Sequence, residues 1–165
     1  MEETVVRVKR DGKITFKDGT TPTALSYTVA YEAGDLNLTI PGPTVNVFLD
    51  RGEFGSTPSL RYGDDQPMTF TFTAYLRSTT EAAVATLMDI ITQSGHVGST
   101  WESTLGDDAE VFTLTLEFEI EGTDHGGTDR TITLNHCWVT GSLAEGDPNT
   151  ISISGTSYSL YPTVA

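Results

Sequence analysis

The clearest pattern in the chain is an alternation of apolar and polar residues across positions 110–121. A period of two over so many residues predicts a β-strand with one apolar and one polar face. The run is about twice the usual strand length, which indicates a sheet that continues into neighbouring copies. Its polar face ends in three carboxylates. Because like charges repel, we expect this face to contact water or a cation-rich lumen rather than a core. These carboxylates belong to Glu117, Glu119 and Glu121.

Nine further alternating runs, separated by turn residues, predict nine more strands. Asp11 and Gly12 form a hairpin signal between the first two runs, and Gly155 is interpreted as a bulge or bend in the last. We therefore predict a single domain, 1–165, that is all-β with one flanking α-helix. Two packed sheets and a partly closed barrel both fit this pattern. The nine runs are 4–10, 13–17, 24–31, 35–40, 45–50, 68–77, 99–104, 130–140 and 150–160.

The one predicted helix follows the run 68–77. Ser78 and Glu81 have the spacing of a capping box, and Ser94 with Gly95 provides a stop. Apolar residues at i, i+3, i+4 and i+7 would form one face that packs on the sheet. This core-facing set is Val84, Leu87, Met88 and Ile91.

The segment 41–67 departs from the alternating pattern. It holds four of the seven prolines of the chain together with several apolar residues. We predict a long inserted loop that contacts a partner, because long loops with apolar content commonly have a binding role. A loop packed on its own surface is the alternative. The residues expected at this partner interface are Val47, Phe48, Leu49, Arg51, Phe54 and Leu60.

The net charge of −14 is unevenly distributed. Eight of the nine Lys and Arg residues precede position 78, whereas eleven Asp and Glu residues and a single base, Arg130, follow position 97. This balance argues against tight or sequence-specific nucleic-acid binding, which depends on basic side chains. It allows a surface that DNA passes without sticking, although solubility alone also explains it.

The composition also indicates in which cellular compartment the protein is expected. No apolar stretch reaches bilayer length, so membrane insertion is not expected. The first seven residues lack the apolar region of a secretory signal. The single cysteine, Cys137, excludes an internal disulfide and fits a reducing cytosol.

The sequence contains no recognisable catalytic or cofactor motif. The three histidines, His96, His125 and His136, stand far apart. The loop 124–129 lacks the ligand spacing of a calcium site, so a plain turn is the better interpretation. Phosphate-binding, dinucleotide-binding and serine-hydrolase motifs are missing. We expect no enzymatic activity, no cofactor and no metal site.

The order of features along nearly the whole chain resembles the tail tube proteins of long-tailed, siphovirus-type bacteriophages. The resemblance rests on the runs 24–29, 61–67, 70–76 and 145–158, on one helix and on a long loop. It implies a virion protein that assembles in the host cytoplasm as stacked hexameric rings without a sheath. It also implies a lumen that holds the tape-measure protein and passes DNA during ejection.

Under this resemblance, Glu117, Glu119 and Glu121 are lumen-facing candidates, although they could instead coat the outside of the tube. The charge distribution suits head-to-tail stacking of a basic hairpin against acidic turns. Tail terminator and baseplate proteins of the same fold are the nearest alternative. A carbohydrate-binding β-sandwich is another, but Trp101 and Trp138 are expected in the core rather than on a flat binding face. The basic residues of the hairpin are Arg7, Lys9, Arg10, Lys13 and Lys17.

Overall fold

A computed structural model describes residues 12–29, 34–50, 57–77, 84–123 and 126–165, together with Val6 and Val8. Within these residues the chain forms ten strands and two short helices. The strands are β1 (Gly12–Lys17), β2 (Ser26–Thr28), β3 (Asn37–Thr39), β4 (Pro43–Asp50), β5 (Thr57–Asp65), β6 (Met68–Tyr75), β7 (Leu114–Ile120), β8 (Arg130–Ala144), β9 (Thr150–Ser157) and β10 (Thr163–Val164). The helices are α1 (Leu87–Thr92) and α2 (Gly95–Thr100).

Eight strands form one antiparallel sheet in the order β2-β1-β7-β8-β9-β6-β3, with β10 beside β8. The alternation predicted from sequence sets the faces of these strands. In β6, for example, Phe70, Phe72 and Ala74 are buried while the residues between them are more exposed. Among the described strands, β4 and β5 pair with each other alone and form a separate hairpin.

The large sheet folds over on itself. Phe16 of β1 and Phe72 of β6 have ring centroids 6.3 Å apart, although three strands separate β1 from β6. In a flat sheet four strand spacings would place them about 19 Å apart. The fold is therefore an all-β sandwich, as predicted, flanked by two short helices rather than the one expected, and the sheet formed by the described strands is not closed into a barrel. Its core contains Ile14, Phe16, Met68, Phe70, Phe72, Leu114, Leu116, Leu134, Ile151 and Ile153.

Strand β8 connects the two layers and bends as it does so. Its first half pairs with β7 and its second half with β9. Between Cys137 and Leu134 it advances three residues while β7 advances two, which defines a β-bulge. His136 lies in this bulge with φ +52°, a left-handed conformation that few non-glycine residues adopt. Its ring Nδ1 lies 3.0 Å from the hydroxyl of Thr104, which holds the bend.

The long strand predicted over 110–121 is shorter in the structure and begins at Leu114. The Ser103 hydroxyl donates to the carbonyl of Val111 and accepts from the amide of Thr113. These side-chain bonds take the place of ladder bonds and end the strand early. The long strand of the sheet is instead β8, with 15 residues.

The helical region also differs from prediction. Helix α1 begins after Thr86, whose side chain forms a capping box with Asp89. Val84 precedes the helix and is 59% exposed, so its assignment to the core-facing stripe was wrong. Ser78 and Glu81 lie outside the described residues.

Helix α1 packs on the core through Leu87, which is buried, with Met88 and Ile91 half-buried beside it. Ile90, which the predicted stripe omits, is buried as well. Gln93 adopts a left-handed conformation that ends the helix.

Helix α2 occupies the start of the segment 99–104, where a strand was predicted. Val97 is fully buried, and the hydroxyls of Ser99 and Thr100 donate to the carbonyl of His96. These local bonds favour a helical turn over an extended strand. Among the described residues no helix is both long and apolar enough to cross a membrane. The predicted strand 4–10 lies outside the described residues except for Val6 and Val8.

Candidate assembly surfaces

The segment predicted as a long loop contains a paired hairpin. We call β4 and β5 together the arm. In its register, three directly opposed pairs place six apolar residues on one face, because opposed residues of antiparallel strands share a face. The other face is mainly polar and includes the opposed pair Asn46 and Arg61. The apolar pairs are Val45 with Tyr62, Val47 with Leu60, and Leu49 with Pro58.

The apolar face of the arm is open to solvent. Val47 is 57% exposed, Leu60 65% and Tyr62 81%. Phe48, on the opposite face, is also more than half exposed. A contiguous apolar surface of this kind usually marks an interaction site. Of the six residues predicted at an interface, Val47, Phe48, Leu49 and Leu60 lie on the arm, whereas Arg51 and Phe54 lie outside the described residues.

Just before the arm, the backbone of Gly42 passes close to the side chain of Tyr161. Gly42 adopts φ +67°, and a Cβ there would lie 3.3 Å from the Tyr161 hydroxyl. The Thr44 hydroxyl donates to the carbonyl of Asp64 across the base of the hairpin, beside a register shift between Pro43 and Val45. The two strands of the arm are thus joined at their base, and the apolar face stays exposed.

The three carboxylates singled out by sequence lie on or next to β7. Glu117 forms an ion pair with Lys17 at 2.8 Å, and Glu119 forms one with Lys13 at 3.1 Å. Both lysines lie on the adjacent strand β1. Glu121 is half-buried just beyond the end of β7.

These ion pairs correct the sequence argument about repulsion. We expected the stacked carboxylates to need water or external cations, but Lys13 and Lys17 of the same subunit already relieve the repulsion. Partly exposed pairs of this kind contribute at most about 1 kcal/mol each. Two of the predicted lumen residues are therefore charge-compensated within the subunit, and this face is less acidic than its sequence implies.

An apolar cleft of about 170 Å³ lies where β3 folds over β7 and β8. The buried side chains of Leu116 and Leu134 belong to its floor, and the other four are half-buried. Sequence analysis missed it because its walls come from three separate parts of the chain. The residues that line it are Leu36, Leu38, Leu116, Phe118, Ile132 and Leu134.

Two polar groups with shifted pKa values, Cys137 and Asp129, are held within the fold. Cys137 is fully buried, and burial raises the pKa of its thiol to about 12. Asp129 accepts hydrogen bonds from the amides of Gly122 and Thr123, which lower the pKa of its carboxyl and hold the turn before β8. Across the described part of the chain, no group of three His, Cys, Asp or Glu residues is placed to hold a metal ion.

The two tryptophans do not form a flat binding face. Trp101 is buried in the core and Trp138 is half-buried on β8. Sugar-binding faces of β-sandwiches depend on exposed aromatic rings, so these two residues do not support a carbohydrate-binding module.

Comparison with known proteins identifies the fold through structure alone. No protein-family model matches the chain, and no curated protein matches it. A chain in the 6-fold symmetrised cryo-EM structure of the anti-feeding prophage baseplate aligns with a TM-score of 0.56 and 10% identity, covering 100% of this chain and 97% of that one. A chain in the cryo-EM structure of an extracellular contractile injection system, described as the PVC sheath/tube terminator in the extended state, aligns with a TM-score of 0.54 and 10% identity. That alignment covers 100% of this chain and 99% of the other. The protein thus shares, over its whole length, a fold found in contractile injection particles.

Proposed function

We propose that the protein is a structural subunit of a phage-type tail. It would assemble in the host cytoplasm as stacked hexameric rings that surround a channel for the tape-measure protein and DNA. The observation that carries this proposal is the arm, a hairpin whose apolar face is solvent-exposed in the single subunit. An isolated two-stranded hairpin is only marginally stable in water, so this face favours burial against another subunit.

The strength of one arm contact favours cooperative assembly. Apart from Pro58, the five apolar side chains of the arm face are each more than half exposed, so burying them would contribute about 1 kcal/mol each. The total of about 5 kcal/mol lies at the low end of the cost of association, about 4–15 kcal/mol. A single arm contact is therefore too weak for a stable dimer, and a ring or stack in which each subunit makes several contacts is favoured.

The carboxylates of β7 are our candidates for the channel wall. Glu117, Glu119 and Glu121 lie on the polar side of a sheet layer, and they are half-buried rather than fully exposed. Their ion pairs with Lys13 and Lys17 leave a mixed surface. Such a surface would repel phosphate weakly and would not bind it tightly, which suits the passage of DNA.

A tail terminator or baseplate component is the second candidate. It is favoured by the particles in which the fold is found, a baseplate and a sheath/tube terminator. The two candidates differ in the product of assembly. A tube subunit adds rings at both faces and forms filaments, whereas a terminator stops at a ring.

The experiment compares Val47→Asp with Asn46→Asp in the purified protein. These residues are neighbours on β4 but lie on opposite faces of the arm, so each variant adds one charge to the same strand. We expect the wild type and Asn46→Asp to form hollow filaments in negative-stain electron microscopy, and Val47→Asp to remain a folded monomer by sedimentation and circular dichroism.

If Val47→Asp forms filaments at the wild-type concentration, the arm face is not part of the assembly interface. Closed rings without filaments in the wild type would favour the terminator. A wild-type protein that stays monomeric at every concentration would contradict both assignments.

A further inference from the structure

We propose that the apolar cleft between β3, β7 and β8 is the receptor for the arm of a second copy of this chain, with Leu60 as the inserted side chain. The inference rests on the proposed function and deepens it, because it names the surface that accepts the arm. The arm and the cleft lie on different parts of the same subunit, so each copy carries both halves of the contact.

The arm presents a suitable ligand. Leu60 and the opposed Val47 form the central pair of its apolar face, and both are more than half exposed. None of the six residues on that face carries a charge. Insertion would therefore remove apolar surface from water without desolvating an ionic group.

The cleft presents a matching receptor. All six of its lining residues are aliphatic or aromatic, and its volume is about 170 Å³. An apolar cavity of roughly 150 Å³ accommodates a benzene-sized group, so this cleft fits one or two side chains and not a whole strand. A leucine side chain at the centre of the arm meets this limit.

A second copy is the occupant because the arm does not fill the cleft of its own subunit. The exposure of Leu60, 65%, shows that its side chain is not inserted in the cleft of the same molecule. Only residues 40–42 separate β3, which borders the cleft, from β4 of the arm. The arm therefore starts beside its own cleft, and a short connection limits how far it can fold back.

The contact has a consequence for symmetry. Donor and receptor are different surfaces, so the interface is heterologous and every added copy leaves one free arm and one free cleft. Such a contact closes into a ring or continues as a stack. Each subunit has a net charge of −14, so two copies repel each other. The arm face and the cleft carry no charged side chains, so the contact itself does not bring like charges together.

Cysteine cross-linking between two variants tests the proposal. Leu60→Cys and Ile132→Cys proteins are mixed in equal amounts under assembly conditions and oxidised, and disulfide-linked dimers are measured on non-reducing gels. We expect at least tenfold more dimer in the mixture than in either variant alone. Asn46→Cys mixed with Ile132→Cys is the matched control and should give no increase, since Asn46 lies on the opposite face of the arm.

Two features keep the result interpretable. Native Cys137 is buried with a raised thiol pKa, so wild-type protein serves as a blank without cross-links. Leu36→Cys on the rim of the cleft replaces Ile132→Cys if the latter fails to fold, because Leu36 is a half-buried residue outside the strands.

The outcomes separate this inference from the proposed function. Filaments without the Leu60–Ile132 link, or equal linking through Asn46→Cys, overturn the inference and leave the tail-subunit function intact. An intramolecular link in the double variant as a monomer also overturns it, because the arm would then fill its own cleft. The link in short oligomers that never form filaments supports the inference and contradicts the tube function.

Discussion

Asp18 shows how one buried carboxylate organises the end of the sandwich. It is 4% exposed, and its two oxygens accept hydrogen bonds from the amides of Thr20, Leu25 and Glu102. The last of these lies 84 residues away in the chain. The carboxylate thus connects the end of β1, the following loop and the segment after α2.

We predict that Asp18→Ala lowers the free energy of unfolding by about 3 kcal/mol or more. The substitution leaves three amides without their acceptor, and an unsatisfied buried donor costs about 1–3 kcal/mol. Urea denaturation followed by circular dichroism measures the effect. Asp108→Ala, which removes an exposed carboxylate in a turn, is the control and should change stability by less than about 0.5 kcal/mol. Equal effects of the two substitutions would contradict the structural role of Asp18.

Strand β9 depends on a glycine that makes room for an aromatic ring. Gly155 pairs in regular register with Phe70 on one side and Val139 on the other, so the predicted bulge at this position is wrong. A Cβ at Gly155 would lie 2.4 Å from the Phe70 ring and 2.7 Å from the carbonyl oxygen of Trp138. The glycine is required because the ring of Phe70 lies across its backbone, and no space remains for a methyl group.

We predict that Gly155→Ala destabilises the fold by about 2 kcal/mol, within the range of overpacking in a filled core. Thermal and urea unfolding measure the effect, with Ser152→Ala on the exposed side of the same strand as the control. In the double variant with Phe70→Leu the loss should be smaller than the sum of the two single losses, because the smaller side chain relieves the clash. Strict additivity would show that Gly155 and Phe70 are not coupled.

The molecule as a whole combines strong like charge with an uncharged contact surface. Subunits with a net charge of −14 repel one another, whereas the arm and the cleft are apolar. The basic hairpin that sequence analysis assigned to charge-based stacking is partly engaged within the subunit, because Lys13 and Lys17 pair with Glu119 and Glu117. Charge would therefore oppose the proposed assembly more than it drives it.

We predict that assembly increases with salt. Raising the ionic strength from about 0.01 M to about 1 M shortens the screening length from about 30 Å to about 3 Å, which weakens repulsion between subunits and spares apolar contacts. Sedimentation velocity at fixed protein concentration measures the oligomer fraction. Dissolution of the oligomers by salt would indicate that charged contacts between basic and acidic surfaces hold the rings together.

Local sequence patterns located several of the strands, placed their limits poorly, and missed β5, which lies in the predicted loop 41–67. Strands β6 and β9 lie within the predicted runs 68–77 and 150–160, because each has a continuous apolar face that must be buried. The predicted cap at Ser78 lies outside the described residues, and helix α1 is instead capped by Thr86. Side-chain hydrogen bonds around Ser103 end β7 early, and no periodicity reports such bonds.

The alternating pattern of the chain was sufficient to predict the class of fold. A period of two gives each strand one apolar face, and strands bury such faces by joining into packed sheets. The pairing of Lys17 with Glu117 joins residues 100 positions apart, so no local pattern could reveal that the acidic strand is compensated. The cleft likewise exists only because β3 folds over β7 and β8. The arm lies between these cases: its apolar residues are visible in the sequence, but their collection on one exposed face follows from the register of β4 with β5. Periodicity reports only on residues that are close together in the chain. Charge compensation, cavities and exposed faces depend on which distant segments the folded sheet brings together.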